Sequence, residues 1–213
     1  MTKKTKKLNI TKVQEKITRA NLKLFTSLDY KRILNLDYQA AKRSITRYIR
    51  AGFLVKARKG FYFIKANPPH EFEIANKIYQ PSYISLETAL SFYGIIPETI
   101  YEVMSATSRT TRGFSINNIK YSYKKIKKDC FNGYKPIKIK NATILIAEPE
   151  KALVDYLYLV VLGKRKLAYE RIDLSKIKKI KLLNYAKQFQ KRKIKEIINN
   201  LYAESKRNQR VIY

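Results

Sequence analysis

The chain has 213 residues, with 46 Lys or Arg against 16 Asp or Glu and a formal net charge of +30. Its single cysteine, Cys130, excludes an internal disulfide and a cysteine-based metal cluster. Its single histidine, His70, gives no support to a zinc site, which needs about three or four protein ligands. So large a positive charge predicts a polyanionic partner, either nucleic acid or an anionic membrane surface.

The positive charge is concentrated at the two ends of the chain. Residues 1–66 carry 18 basic and 3 acidic side chains, and residues 156–213 carry 16 and 4. Residues 67–155 carry 12 and 9, although ten of these basic residues fall within 106–140. We find no run of roughly 18 apolar residues and no apolar signal-peptide core near the start, so we expect a cytoplasmic protein that makes no use of a membrane.

The first third of the chain is predicted to hold three helices. Residues 1–9 are expected to form a disordered basic arm, because lysine and threonine cannot bury enough apolar surface to offset the entropy of ordering. Thr11–Gln14 fits a capping box at the start of the first helix. A second short helix is expected to begin after Thr26 or Ser27 and to end before Asn35.

The third helix is the candidate DNA-recognition helix. Asp37 is expected to cap its start, and Gly52 follows its end. One side of this helix is apolar, whereas the other carries side-chain types that pair with base edges or phosphates in the major groove. The candidate DNA-binding residues of the helix are Gln39, Lys42, Arg43, Thr46, Arg47 and Arg50. A polar helix face is often only solvated, and that interpretation is the alternative.

A basic β-hairpin is predicted directly after the third helix. Its strands are Phe53–Val55 and Phe61–Ile64, with residues 56–60 as a basic tip. The candidate phosphate-binding residues of the tip are Lys56, Arg58 and Lys59. Three helices and a basic hairpin within about 55 residues are the order of elements in a winged helix-turn-helix, so we predict such a domain at residues 10–66.

The remaining chain is predicted to be a mixed α/β domain that ends in amphipathic helices. Residues 67–80 are expected to form a linker and a short helix, because two consecutive prolines interrupt any regular element. The domain at 81–213 would then follow, which makes the whole chain α+β. The predicted strands are Ile100–Ala106, Ile119–Tyr123, Ile137–Ile139 and Thr143–Ala147, with Gly113 and Gly133 in turns. Ala152–Leu162 is apolar almost all round and is predicted to be a buried core helix.

The sequence favours a binding protein over an enzyme. One histidine, one cysteine and no glycine-rich phosphate loop argue against most hydrolase and nucleotide-binding sites. Glu148 and Lys151 are separated by two residues, not by the one residue of restriction-type nucleases, and Pro149 interrupts the strand. We therefore interpret Glu148, Glu150, Lys151 and Asp155 as the start of a helix, and we expect no catalytic residue, metal or cofactor.

Several stretches within about residues 10–200 share the pattern of one family. They are Phe25–Ser27, Gly52–Leu54, Lys59–Tyr62, Pro81–Leu90, Tyr93–Glu98, Thr107–Arg112 and Ala147–Asp155. This pattern resembles the AbiEi family of antitoxins and transcriptional regulators in type IV toxin-antitoxin systems. The resemblance implies a winged helix that represses its own operon at inverted repeats, and a C-terminal domain that is needed for antitoxin activity. It also implies a nucleotidyltransferase toxin that is opposed without a stable complex.

The resemblance also directs attention to Arg109 and Arg112 as candidate functional residues of the C-terminal domain. An equal alternative is that they brace the strands through hydrogen bonds to Glu87 or Glu98. Whether the basic C-terminal helices contact DNA or are only solvated stays open. We expect an autorepressing antitoxin, a monomer or dimer in solution, with two copies on double-stranded operator DNA. A stand-alone winged-helix regulator without a toxin partner is the alternative.

Overall fold

The structure is a computed structural model that describes residues 9–98, 101–167 and 172–210. These residues form eight α-helices and two β-sheets, so the chain is α+β as predicted. The chain divides into two compact units, Met1–Ile74 and Ala75–Tyr213. No helix among the described residues is long and apolar enough to cross a lipid bilayer. The predicted basic arm lies, apart from Asn9, outside the described residues.

The N-terminal unit combines three helices with a three-stranded antiparallel sheet. Its elements in chain order are α1 (Ile10–Arg19), β1 (Phe25–Thr26), α2 (Ser27–Leu34), α3 (Tyr38–Arg50), β2 (Leu54–Arg58) and β3 (Phe61–Ile64). The predicted capping box at Thr11–Gln14 is wrong, because α1 begins earlier. Its cap is Asn9, whose side chain accepts a hydrogen bond from the backbone N–H of Thr11 at 3.4 Å. Asparagine is at least as good a cap as threonine.

The boundaries of α2 and α3 confirm the predicted start and stop signals. Thr26 caps α2 in a reciprocal capping box with Asp29. Asp37 caps α3, since its carboxylate accepts from the N–H of Ala40 at 2.7 Å. Asn35 takes a left-handed conformation with φ of 51°, which ends α2 and leaves only three residues between the helices. Gly52 follows α3 with φ of 70°, a conformation that favours glycine.

A buried hydrogen bond fixes α3 against α2. The hydroxyl groups of Tyr30 and Ser44 lie 2.8 Å apart, and both residues are buried. Burial raises the pKa of Tyr30 to about 12, so its phenol is neutral at physiological pH. The apolar core around this pair includes Val13, Ile17, Phe25, Leu34, Ala41, Ile45, Tyr48, Leu54 and Ile64. The inner face of α3 is therefore held in place by packing and by one satisfied polar contact.

The hairpin differs from its prediction in length and in attachment. Strand β2 extends to Arg58, so the predicted tip at 56–60 shrinks to Lys59 and Gly60. The extension is possible because a bulge between Lys56 and Arg58 accommodates Ala57, which is buried. Strand β1 was not predicted, because two residues carry no periodic signal. It pairs with β3 and leads directly into α2, which connects the hairpin to the helices.

The second unit is built on a six-stranded mixed sheet. The remaining elements are α4 (Glu71–Ile78), β4 (Ser82–Ile84), α5 (Leu86–Phe92), β5 (Glu102–Thr107), β6 (Arg112–Ile116), β7 (Ile119–Lys125), β8 (Tyr134–Ile139), β9 (Ala142–Ala147), α6 (Pro149–Val161), α7 (Lys179–Gln188) and α8 (Arg192–Arg210). The division between the units falls within α4. The strand order is β6-β7-β5-β4-β9-β8, in which β5 with β7 and β4 with β9 are the parallel pairs.

Most predicted elements of this unit are confirmed, with three differences. Strands β4 and β6 were missed, and Ile100, the first residue of one predicted strand, lies outside the described residues. The expected turn at Gly113 is wrong, because this residue lies within β6. The turn that follows is made by Asn117 and Asn118, which both have positive φ angles, of 48° and 65°. Asparagine tolerates this conformation better than other residues with side chains.

The core helix α6 buries an ion pair as well as apolar side chains. Lys151 and Asp155 are 0% exposed and are joined by a hydrogen bond within the helix. The other carboxylate oxygen of Asp155 accepts from the hydroxyls of Tyr83 at 2.9 Å and Ser85 at 2.8 Å. The ammonium group of Lys151 also lies 5.0 Å from the ring centroid of Phe189, which follows α7. The pair therefore connects α6 to the end of β4 and to the end of α7.

We expect each half of this buried pair to be needed for stability. Lys151→Met and Asp155→Asn should each lower the free energy of unfolding by about 3–5 kcal/mol, because each leaves an unmatched polar partner in the core. The double variant should lose clearly less than the sum of the two, since no lone charge remains. Urea unfolding measures all three, with exposed Lys77→Met as the control. Strictly additive losses would show that the two side chains do not depend on each other.

Candidate nucleic-acid interface

Helix α3 presents all six of its candidate residues on one exposed face. Its opposite face carries Ala41, Ile45 and Tyr48, which are buried. The exposed side chains line a single shallow depression of about 490 Å³ and are Gln39, Lys42, Arg43, Thr46, Arg47 and Arg50. They recur three or four residues apart, so they form one stripe along the helix.

The stripe is strongly cationic, and its side chains differ in the contacts that they make within the helix. Four of the six side chains are Lys or Arg, and the helix contains no acidic residue. The guanidinium of Arg47 lies 4.8 Å from the ring centroid of Tyr48, which holds it close to the helix surface. The hydroxyl of Thr46 donates to the carbonyl of Lys42 at 3.0 Å, so it can only accept a further hydrogen bond. Arg43 occupies the middle of the stripe.

The hairpin places its candidate residues at different depths. Lys56 and Lys59 are exposed, whereas Arg58 is half-buried on β2 and is not at the tip where it was predicted. Lys56 pairs directly with Tyr62 on β3, so the two side chains share one face of the sheet. Phe25 pairs with the same tyrosine and is buried in the helical core. Lys56 therefore lies on the face of the hairpin that is directed towards the helices.

Tyr38 is a residue that the sequence analysis missed. It is the first residue of α3 and is 61% exposed, although its side chain is large and largely apolar. Burial raises the pKa of Tyr62, and the nearby phenol of Tyr38 raises it further, so the start of α3 and the hairpin are neighbours. The sequence carried no signal for this exposure, because Tyr38 lies three and seven residues before the buried Ala41 and Ile45 and is therefore in phase with the apolar face of the helix.

The two arginines singled out in the C-terminal domain lie in different environments. The guanidinium of Arg109 donates to the carbonyl of Gln80 at 2.9 Å and lies 4.8 Å from the ring centroid of Tyr79. Its hydrogen bond thus goes to backbone and not to Glu87, whose carboxylate pairs with Arg165 at 3.1 Å. Arg112 is exposed at the start of β6. Only Arg109 is positioned to brace the strands.

The acidic residues at the start of α6 are used within the fold. Glu148 accepts from the hydroxyl of Tyr185 at 2.5 Å and from the ammonium group of Lys181 at 2.8 Å. Burial raises the pKa of Glu148, but these two hydrogen bonds outweigh it and hold the pKa below its usual value. Glu150 accepts from the backbone N–H of Lys178 at 3.1 Å. Among the described residues, no three His, Cys, Asp or Glu side chains come together as a metal site would require.

No family model matches the sequence, and no curated protein matches it at a significant level.

We expect alanine substitution to separate the roles of the two arginines. Arg109→Ala should lower the free energy of unfolding by about 1 kcal/mol, because it removes a hydrogen bond and a cation–π contact at an exposed position. Arg112→Ala should change it by less than about 0.5 kcal/mol. Thermal unfolding followed by circular dichroism compares the two variants under identical conditions. A larger loss for Arg112→Ala would contradict the bracing role of Arg109.

Proposed function

We propose that the N-terminal unit is a winged helix-turn-helix whose helix α3 enters the major groove of double-stranded DNA. The observation that carries the proposal is the single stripe of six polar and basic side chains on the exposed face of α3. Two further features support it. The three-residue connection between α2 and α3 fits a helix-turn-helix, and the β2–β3 hairpin follows at the position of a wing.

The side chains of α3 suggest that some residues contact bases and others contact phosphates. The first residues of a recognition helix usually contact base edges, which favours Gln39, Lys42 and Arg43 for reading sequence. Arg47, one turn after Arg43 on the same face, is assigned to base contacts with them. Glutamine pairs with adenine, and arginine or lysine pairs with guanine. The exposed ring of Tyr38 lies beside these residues and can supply an apolar contact to a thymine methyl group. Arg50, at the other end of α3, suits a phosphate contact.

The hairpin suits phosphate contacts that position the protein without reading sequence. Lys56 and Lys59 are exposed, and Lys56 lies on the face directed towards the helices. Lysine binds phosphate as a point charge and needs no fixed orientation. We therefore assign the wing contacts to these two lysines and give Arg58, which is half-buried, a smaller part.

We further propose that the protein is an autorepressing antitoxin of the AbiEi type that opposes a nucleotidyltransferase toxin. The support is the motif resemblance, together with the place of the motifs in the fold. Two of the motifs, Pro81–Leu90 and Ala147–Asp155, contribute the residues of the buried network around Asp155. Both motifs thus supply residues that pack and hydrogen-bond in the core of the C-terminal unit. The protein would act by binding, with two copies on an inverted repeat.

The proposal is tested by gel-shift titration on the DNA upstream of the gene, with unrelated competitor DNA and a salt series. We expect discrete shifted bands that survive competitor, and a second band if two copies bind the inverted repeats. Replacing Lys56 and Lys59 with alanine should lower the affinity for all sequences and flatten the salt dependence, because phosphate contacts release counterions. Smeared binding that moderate salt abolishes would overturn sequence-specific recognition.

Single substitutions on α3 test the assigned base contacts. We expect Arg43→Ala and Arg47→Ala to weaken specific binding by about 1–3 kcal/mol, with a smaller effect on non-specific binding. Arg19→Ala is the matched control, because it removes another exposed arginine, from α1 in the same unit. Equal losses for specific and unrelated DNA would contradict base readout by α3.

The antitoxin role is tested separately by co-expression with the toxin. We expect growth inhibition by a nucleotidyltransferase encoded beside this gene to be relieved by the wild-type protein. The Arg43→Ala variant should relieve it equally, because the resemblance assigns antitoxin activity to the C-terminal domain. Growth on plates at matched expression levels measures both. Failure of the wild-type protein to restore growth would leave a stand-alone regulator as the function.

A further inference from the structure

The last two helices form a second concave surface, which the proposed function does not use. Helix α7 ends at Gln188 and α8 begins at Arg192, so the two helices are joined by a very short turn. A groove of about 450 Å³ lies along them. Its apolar lining residues, which we call the floor, are Ile180, Leu183 and the nearly buried Ala186.

The apolar floor is not explained by the packing of this unit. Ile180 is 79% exposed, whereas its neighbour Leu182 on α7 is 0% exposed and faces the core. An isolated exposed isoleucine needs no explanation, but this one belongs to a concave surface together with Leu183.

The rim of the groove is basic on both helices. Lys187, Lys191, Arg192 and Lys195 line it, and all four are exposed. Between Leu174 and Lys195 the sequence has nine basic residues and no acidic one. Glu196, which pairs with Arg192 at 3.1 Å, is the acidic residue next in sequence, and this exposed pair offsets little of the charge. The occupant of the groove must therefore combine an apolar stripe with flanking negative charge.

We infer that this groove docks an acidic amphipathic helix of a partner protein. A helix laid into a groove brings apolar residues at i, i+3 or i+4, and i+7 to the floor, while acidic residues on either side of that stripe meet the rim. The floor supplies the apolar contact through Ile180 and Leu183, and the rim supplies charge complementarity. The inference stands independently of the DNA-binding proposal, because none of these residues belongs to the N-terminal unit.

Charge and shape disfavour the other occupants. A second copy placed by a two-fold axis would bring the same basic rim against itself, and the basic N-terminal arm would be repelled in the same way. Nucleic acid would neutralise the rim but leave Ile180 and Leu183 without an apolar partner. A lipid bilayer is flat on this scale, whereas the groove is concave and suits a rod-shaped ligand.

The test uses two fluorescein-labelled peptides of about 16 residues, or about four helical turns. One has leucines along a single helical stripe with glutamates elsewhere, and the other has the same composition with the leucines spread around the helix. Fluorescence anisotropy with the full-length protein at physiological salt should show the striped peptide binding about tenfold tighter or more. Ile180→Ser with Leu183→Ser should abolish this preference, and Lys187→Gln with Lys191→Gln should weaken both peptides.

Ile10→Ser, at an exposed isoleucine on α1, is the matched control and should leave both affinities unchanged. Circular dichroism melts verify that each variant is folded. Equal affinity for the two peptides would overturn the inference, because charge alone would then account for binding. The inference would also be overturned if the Ile180 and Leu183 substitutions left the affinity for the striped peptide unchanged. A third result would also overturn the inference. If the protein binds phosphatidylglycerol vesicles but not the striped peptide, and the Ile180 and Leu183 substitutions abolish vesicle binding, the groove binds a membrane.

Discussion

The burial of one face of α3 is the constraint on which the candidate interface depends. Ile45 and Tyr48 pack into the core, and the Tyr30–Ser44 hydrogen bond satisfies the polar group that is buried beside them. Burying each large apolar side chain contributes about 1.5–3 kcal/mol, so rotation of α3 about its axis would be costly. The backbone positions of the opposite stripe are therefore fixed towards solvent, so binding has to order only the side chains themselves.

The core of the C-terminal unit differs from that of the N-terminal unit, because it contains a buried ion pair with its own hydrogen bonds. Lys151 and Asp155 are both fully buried, and Tyr83 and Ser85 satisfy the remaining carboxylate oxygen. A pair of this kind contributes little net stability, but it penalises any packing that separates its members. With the core oriented in this way, α7 and α8 keep outer surfaces that are basic and partly apolar, as the groove beside Ile180 shows.

Elements with a strong local signal were predictable, and elements defined by pairing were not. Helices α2 and α3 carry side-chain caps, and α6 has a proline at its first position, so the starts of these helices follow from nearby residues. Strands β1 and β6 are short or weakly patterned, and each exists because a partner strand lies beside it. The bulge at Ala57, which moved Arg58 from the hairpin tip onto a strand, depends on how a neighbouring strand is matched.

The sequence by itself determined the charge, the boundaries of α2 and α3, and the stripe on α3, because helical spacing alone brings residues such as Gln39, Arg43 and Arg47 onto one face. Only the tertiary structure decided which exposed groups are available for binding. It places Tyr38 at the edge of the stripe, assigns Arg109 to bracing Gln80, and encloses Lys151 and Asp155 in the core. These outcomes depend on contacts between residues that are distant in sequence, and local propensity carries no information about such contacts.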